Sequence, residues 1–162
     1  MDKIYWLFIV SVCLIITHRP LHSWAGVETP IELSTIPATI IQNAQAQFPE
    51  ATFGSANTES EPGGGFVYEI QGTFKDGRKF EYDVFPSGEI QEIEIEFQKD
   101  MVPGAVMKAI QKKLPGFIPT YIEASHSASM QVVSYEFVGQ IGESTIDIDV
   151  SADGSKIEVA DK

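Results

Sequence analysis

Segments of this chain recur 66 or 67 residues apart, and that spacing narrows the folds open to it. Ile36-Pro37 returns as Val102-Pro103 and Phe48-Pro49 as Leu114-Pro115, each 66 residues on. Tyr68-Glu69-Ile70-Gln71-Gly72 returns as Tyr135-Glu136-Phe137-Val138-Gly139 at an offset of 67. Glu81-Tyr82-Asp83-Val84 and Gly88 return as Asp147-Ile148-Asp149-Val150 and Gly154, back at 66. A one-residue insertion followed by a deletion is what drift in loop length produces. The chain therefore reads as one unit written twice, residues 34–97 and 103–160, with residues 98–102 as the link.

Each unit reads as a helix followed by a meander. In the first, Ile36, Ile40, Ile41, Ala44 and Phe48 fall at helical spacing, Ser34 or Thr35 is the candidate cap, and Pro49 is the stop. In the second, Asp100 is the candidate cap, Val106, Ile110 and Leu114 form the stripe, and Pro115-Gly116 ends it. The period then drops to two. Phe66, Tyr68 and Ile70, then Phe80, Tyr82 and Val84, then Ile93, Ile95 and Phe97 alternate with polar residues, and the second unit repeats the pattern. Lys75-Asp76-Gly77-Arg78, Pro86-Ser87-Gly88 and Ala152-Asp153-Gly154 are the turns. Weaker strands are expected near residues 52–58 and 120–125. The expected fold class is α+β: two tandem repeats, each one helix packed on a 3–4-stranded antiparallel sheet, because each apolar strand face needs a cover.

Residues 1–25 read as a signal peptide. Lys3 opens them, residues 4–17 form an apolar run, and Ser23-Trp24-Ala25 offers a cleavage site after Ala25. Fourteen residues at 1.5 Å each fall short of a hydrocarbon core of roughly 30 Å, so the cleaved chain is not expected to span a membrane. The formal charge of the whole chain is −12. Without Asp2, Lys3 and Arg19 the remainder keeps 9 basic and 22 acidic residues, a net charge of −13. It also keeps a single histidine, His126, and no cysteine. Disulfides and thiolate metal sites are thereby excluded, and nucleic acid is an unsuitable partner for so acidic a body.

No catalytic constellation emerges. His126 sits in Ala124-Ser125-His126-Ser127-Ala128, which reads as a solvated polar loop with no nucleophile elbow around any serine. One imidazole without thiolates makes no zinc site, so neither a metal nor a cofactor is expected. The carboxylates are the chemically interesting set. Glu69, Glu81, Asp83, Glu92, Glu94 and Glu96 share the strand face opposite the apolar one, and Glu136, Asp147, Asp149 and Glu158 do so in the second unit. They read either as a solvated face that keeps the sheet soluble or as an acidic docking surface for a basic partner. Carboxylates on one strand face are expected to diverge and to titrate normally, which argues against calcium and against a split acid–base pair. Phe53, Phe85, Phe117 and Tyr121 lie off the inward pattern and are candidate interface anchors if they are exposed together.

The order helix, Tyr-Glu-hydrophobic-x-Gly, acidic-x-Asp-Val, glycine turn, last strand resembles the PepSY-like domain. The residues that carry it are Tyr68 to Gly72, Glu81 to Val84 and Gly88, and again Tyr135 to Gly139, Asp147 to Val150 and Gly154. In tandem the pattern is similar to secreted proteins that share the fold of beta-lactamase-inhibitor protein. That resemblance implies an exported, non-enzymatic module of the periplasm or the secreted fraction, with no catalytic residues to carry over. Its implied partner is a protein, such as a peptidase or another hydrolase. The competing reading is a cation or small-ligand carrier that uses the acidic face.

Overall fold

The computed structural model describes residues 27–60 and 64–159; the expected signal peptide and cleavage site lie outside them. The strands among the described residues join into a single nine-stranded sheet whose order follows the chain from end to end. Its members are β1 (Glu28–Ile31), β2 (Thr52–Ser60), β3 (Phe66–Thr73), β4 (Lys79–Val84), β5 (Ile90–Glu96), β6 (Ile118–His126), β7 (Val132–Ile141), β8 (Ser144–Ser151) and β9 (Ile157–Val159). Each pairs antiparallel with its neighbour in sequence. Two ten-residue helices, α1 (Ala38–Gln47) and α2 (Gly104–Lys113), complete the architecture with 3-10 turns at Leu33–Thr35 and Lys99–Met101.

This corrects the expected pair of helix-on-sheet repeats. β5 pairs directly with β6 through Ile93–His126, Glu94–Ser125, Ile95–Ala124 and Glu96–Glu123, so the 98–102 stretch joins two neighbouring strands of one sheet. The physical reason is the edge. Two separate sheets would each leave a row of unpaired amides and carbonyls beside Ile93 and Ile95, and pairing with β6 removes it. The Phe97 amide extends the ladder, donating to the Ile122 carbonyl at 2.8 Å.

Both helices cover the same side. Ile36, Ile40, Ala44 and Phe48 pack on Ile70, Phe80, Tyr82, Val84, Ile93 and Ile95. Val102, Val106 and Ile110 pack on Ile122, Ala124, Tyr135, Phe137, Ile148 and Val150. Ile95 and Ala124, from different clusters, oppose each other in register and so share a face. Phe97 packs against both clusters, its ring 5.8 Å from that of His126 and 6.0 Å from that of Tyr135. Fully burying one Ile or Phe side chain stabilises by about 1.5–3 kcal/mol, so these contacts, not helix propensity, hold two short helices in place.

The helix starts differ from expectation. Pro37 and Pro103 occupy the N-cap positions and neither helix has a side-chain cap. Thr35 instead donates its hydroxyl to the Glu32 carbonyl at 2.7 Å, and Asp100 lies in the Lys99–Met101 turn. Phe66, expected inside, is 38% exposed with its ring edge-on to Tyr68. The Asp76-Gly77 turn forms as expected, with Gly77 at φ 90°.

Gly72 and Gly139 serve close approach. A Cβ on Gly72 would meet the Phe80 ring and lie 2.7 Å from the Thr52 carbonyl oxygen. On Gly139 it would meet the Phe117 ring and lie 2.6 Å from the Ile118 carbonyl. Each glycine thus lets a phenylalanine lie flat across its strand beside a β-bulge. Gly139→Ala is expected to cost about 1–3 kcal/mol in urea unfolding, because the backbone oxygen cannot move aside as a side chain could. Gly104→Ala, which meets open space, should leave stability unchanged or raise it by up to about 1 kcal/mol. Equal effects at the two sites would refute the packing account.

Candidate functional site

The face opposite the helices is acidic because strand periodicity puts every second residue there, and register aligns those residues across strands. One row runs Asn57, Glu69, Asp83, Glu92 over β2 to β5. The next runs Ser55, Gln71, Glu81, Glu94, Ser125, Ser134 from β2 to β7. A third runs Glu96, Glu123, Glu136, Asp149, Glu158 from β5 to β9. Asp147 stands opposite Val138 one step further on. All ten carboxylates expected on this face, Glu158 among them, are on it.

They do not diverge. The sheet curls so that Tyr121, on β6, reaches a hollow of about 350 Å³ shared with Ser55, Gln71, Lys79 and Glu81 of β2 to β4, across the intervening β5. Carboxylates on separate strands therefore face one another. The Tyr121 hydroxyl donates to Glu123 at 2.6 Å. The Gln71 amide donates to Glu69 at 2.6 Å and to Glu81 at 3.2 Å, and Asn57 donates to Glu69 at 3.0 Å and to Glu28 at 3.3 Å. Ser125 donates to Glu92. Asp83 is only 8% exposed, and its Oδ1 has no hydrogen-bond partner.

Curvature and crowding overturn the expectation of ordinary titration. Burial, reinforced by Glu69 and Glu123, pushes Glu81 up to about 7. Burial, with Asp149 and Glu123 behind it, does the same for Glu136, also to about 7. Asp83 and Glu94 are held well above the usual carboxylate range, first by burial and then by neighbouring carboxylates. Glu69 is raised by burial against the opposing effect of the Asn57 amide, and Glu123 by burial against the hydrogen bond from Tyr121. Burial also raises the Tyr121 phenol. Each of these causes penalises the charged form.

The aromatic candidates do not gather into a patch. Phe117 is 1% exposed in the second apolar cluster, and Phe53 packs on the first with its ring edge-on to Phe80 at 5.6 Å. Phe85 is half-buried at the β4–β5 turn, leaving Tyr121 as the one of the four that faces the carboxylates. His126 ends β6 rather than lying in a solvated loop; it is 6% exposed on the helix side, its Nδ1 3.3 Å from the Ile93 carbonyl oxygen. Glu123, Gln71 and Asn57 are the participants the sequence reading missed. The alternation of Tyr121, Glu123 and Ser125 with Ile122 and Ala124 would have revealed the first. Among the described residues no three His, Cys, Asp or Glu side chains are grouped to hold a metal ion, and no helix is long and apolar enough to cross a membrane.

The fold has a solved counterpart. A BLIP-like protein from Bacteroides fragilis matches with a TM-score of 0.55 and 19% identity, over 76% of this chain and 86% of that one. The chain has a BLIP-like fold. Two structures from Bacteroides vulgatus, both proposed to be periplasmic, also match; one is of unknown function and one is from the DUF2874 family. Their TM-scores are 0.39 and 0.32 and their identities 16% and 20%, over 83% of this chain and 100% and 94% of theirs, which is too weak a likeness to extend the argument. No protein-family model matches the sequence, and no curated protein matches it significantly. The PepSY-like resemblance thus rests on the quoted residues alone, and the sheet does not divide into the tandem units it implied.

A carboxyl whose folded pKa is raised stabilises the fold below its unfolded value, and that stability is lost as pH rises through the folded value. For Glu81 and Glu136 the loss is centred near pH 7. Asp76 and Asp153 act oppositely, Asp153 being lowered to about 2 by Ser155 and Ser151, and their contribution is lost only in stronger acid. The Tm should therefore fall as pH rises from 5 to 8. Glu81→Gln should raise stability at pH 8 by about 1 kcal/mol after allowance for solvent screening, or about 3–5 °C in a thermal melt. A Tm that climbs from pH 5 to 8 would contradict the assignment.

Proposed function

We propose that this chain is an exported, non-enzymatic module that binds an envelope or secreted protein through the concave acidic face of its sheet. Peptidases and other hydrolases are among the candidate partners. The observation that carries the reading is the asymmetry of the sheet. Both helices close one side, while among the described residues the other has no helix over it and gathers carboxylates that cost stability where they stand. A protein keeps such a face when something other than folding uses it.

The dimensions support the reading. Nine strands at about 4.8 Å span roughly 38 Å, and eight-residue strands rise about 26 Å, giving a face near 1,000 Å². A standard protein–protein interface takes about 800 Å² from each partner. The BLIP-like fold is compatible with protein binding, and the apolar run of residues 4–17 supports export.

Site-specific photocrosslinking tests the proposal. A crosslinking residue at Ser134, on the acidic face, should capture a protein in the native envelope or secreted fraction. The same residue at Lys108, on α2, should not. Equal capture from both positions, or no capture from Ser134 at low or high salt, would remove the sheet-face reading.

A further inference from the structure

We propose that Asp83 is a proton latch: it stays a neutral carboxylic acid, donates through Oδ1 to the Glu69 carboxylate on the neighbouring strand, and pins the curl of the sheet until that proton leaves. The latch forms whether or not the face binds a protein. Asp83 Oδ1 is buried and has no hydrogen-bond partner, and the residue as a whole is 8% exposed. Buried polar atoms in folded proteins are nearly always partnered, and an oxygen closed to solvent has to find its partner within the chain. The Asn57 and Gln71 amides are committed elsewhere, Asn57 to Glu69 and Glu28, Gln71 to Glu69 and Glu81. A proton on Asp83 fills the gap, because a protonated carboxyl is a donor and an ionised one is not.

Register supplies the acceptor. Glu69 lies directly opposite Asp83 in the β3–β4 ladder, and Glu92 directly opposite it in the β4–β5 ladder. Opposed residues have Cβ atoms about 4.5–5.5 Å apart, so two carboxyl groups can meet. Like charges so placed repel, whereas one proton between them turns the repulsion into a charge-assisted hydrogen bond. The proton belongs to Asp83 and the charge to Glu69, which already accepts from Asn57 at 3.0 Å and Gln71 at 2.6 Å. Both amides favour the ionised form of Glu69. The charges that act on Asp83 have one sign: Glu69 of β3, Glu81 of its own strand, Glu92 of β5 and Glu59 of β2. Glu94 of β5 is raised by Asp83 in its turn, and Glu28 and Glu123 act on Glu81. Lys79 borders the hollow beside Glu81, while Lys75 and Arg78 pair with Glu50 and Asp76 around the β3–β4 turn.

The sheet bends where this proton is held. The β4–β5 register shifts between Asp83 and Val84, a β-bulge of the kind that bends a strand and increases its local twist. On the concave side of such a bend, carboxyl groups of neighbouring strands are pressed together. A protonated Asp83 ties β4 to β3 at that point. An ionised Asp83 confronts Glu69, Glu81 and Glu92 as one more negative charge and drives the strands toward a flatter sheet. Only a proton leaves, to solvent, so the change reverses when the pH is lowered. A carboxyl raised in the folded state stabilises that state in acid and stops doing so as pH rises through its folded value. The curl is therefore tight in acid and relaxes as the pH rises.

Carbon NMR of the purified chain with labelled aspartate carboxyl groups locates the proton. The Asp83 signal, assigned by its loss in Asp83→Asn, should remain that of a neutral acid at a pH where the urea-unfolded chain has already ionised it. Glu69→Gln should lower its midpoint further than Glu92→Gln does. Spin labels at Thr52→Cys on β2 and Ser144→Cys on β8, both exposed positions, read the curl in a Cys13→Ser background. Their separation should widen as pH rises from 5 to 8. It should stay short in Asp83→Asn, whose amide donates to Glu69 at every pH, while Glu136→Gln, on the third acidic row, should still widen. Asp83→Asn removes repulsion, so melts should show it folded, and the carbon signal of the parent chain needs no variant fold. Ionisation of Asp83 at the same pH folded and unfolded would overturn the proposal, as would a midpoint governed by Glu92. So would a separation that ignores pH, or one that widens in Asp83→Asn as in the parent. Capture of a protein at Ser134 moves none of these readouts, so the latch and the sheet-face reading can fail separately.

Discussion

The β5–β6 ladder is the contact on which the remaining architecture depends. It places Ile95 of the first apolar cluster beside Ala124 of the second, so that both helices lie on one side. It places Glu94 beside Ser125 and Glu96 beside Glu123, so that acidic rows from the two ends of the chain become continuous on the other. Phe97 locks the junction, bonded through its amide to Ile122 and packed by its ring against both clusters. Without that ladder the hollow between Glu81 and Tyr121 would have no second wall.

Continuity also makes the acidic face expensive. A flat antiparallel sheet can expose one polar side to water with little penalty. A curled sheet turns the same residues toward each other and away from solvent, so desolvation and like-charge repulsion act together on Glu81, Asp83, Glu94 and Glu136. The structure offsets part of this with neutral donors: Asn57 and Gln71 on Glu69, Ser125 on Glu92, and Tyr121 on Glu123. At Asp83 Oδ1 no such donor arrives, and protonation is the available relief.

Which face the residues of the clearly alternating strands β3, β4, β5, β7 and β8 take was legible in the sequence, because alternation is a local property. Glu69, Glu81, Asp83, Glu92, Glu94, Glu96, Glu136, Asp147 and Asp149 could be assigned to one side from neighbours alone. The Asp76-Gly77 turn was legible for the same reason, since it needs only a residue that tolerates positive φ. Pairing across residues 98–102 was not, because no local pattern states which edge a strand will choose, and the matched segments left open whether two half-sheets join. Curvature was equally hidden; it arises from the twist summed over many strands, and it changed the carboxylates from diverging to converging. His126 was misread because Ser125 and Ser127 mask a strand end as a polar loop. Gly72 and Gly139 were visible as motif positions, but their purpose lies in rings from Phe80 and Phe117.

The edges of the sheet support the proposal that recognition belongs to its face. An exposed strand can recruit a partner by extending the ladder, but only where its outward amides and carbonyls are long and accessible. Here β1 is four residues and carries Pro30, which has no amide to donate, while β9 is three residues. Both are poor templates for another strand, as short or proline-bearing edges generally are. The central strands are longer, from six residues in β4 to ten in β7, and their helix side is already occupied. The surface that remains extended, uncovered by the helices and chemically unsatisfied is the concave acidic one. There the carboxylates of Glu81, Asp83, Glu94 and Glu136 are buried at a cost that the neutral donors around them offset only in part.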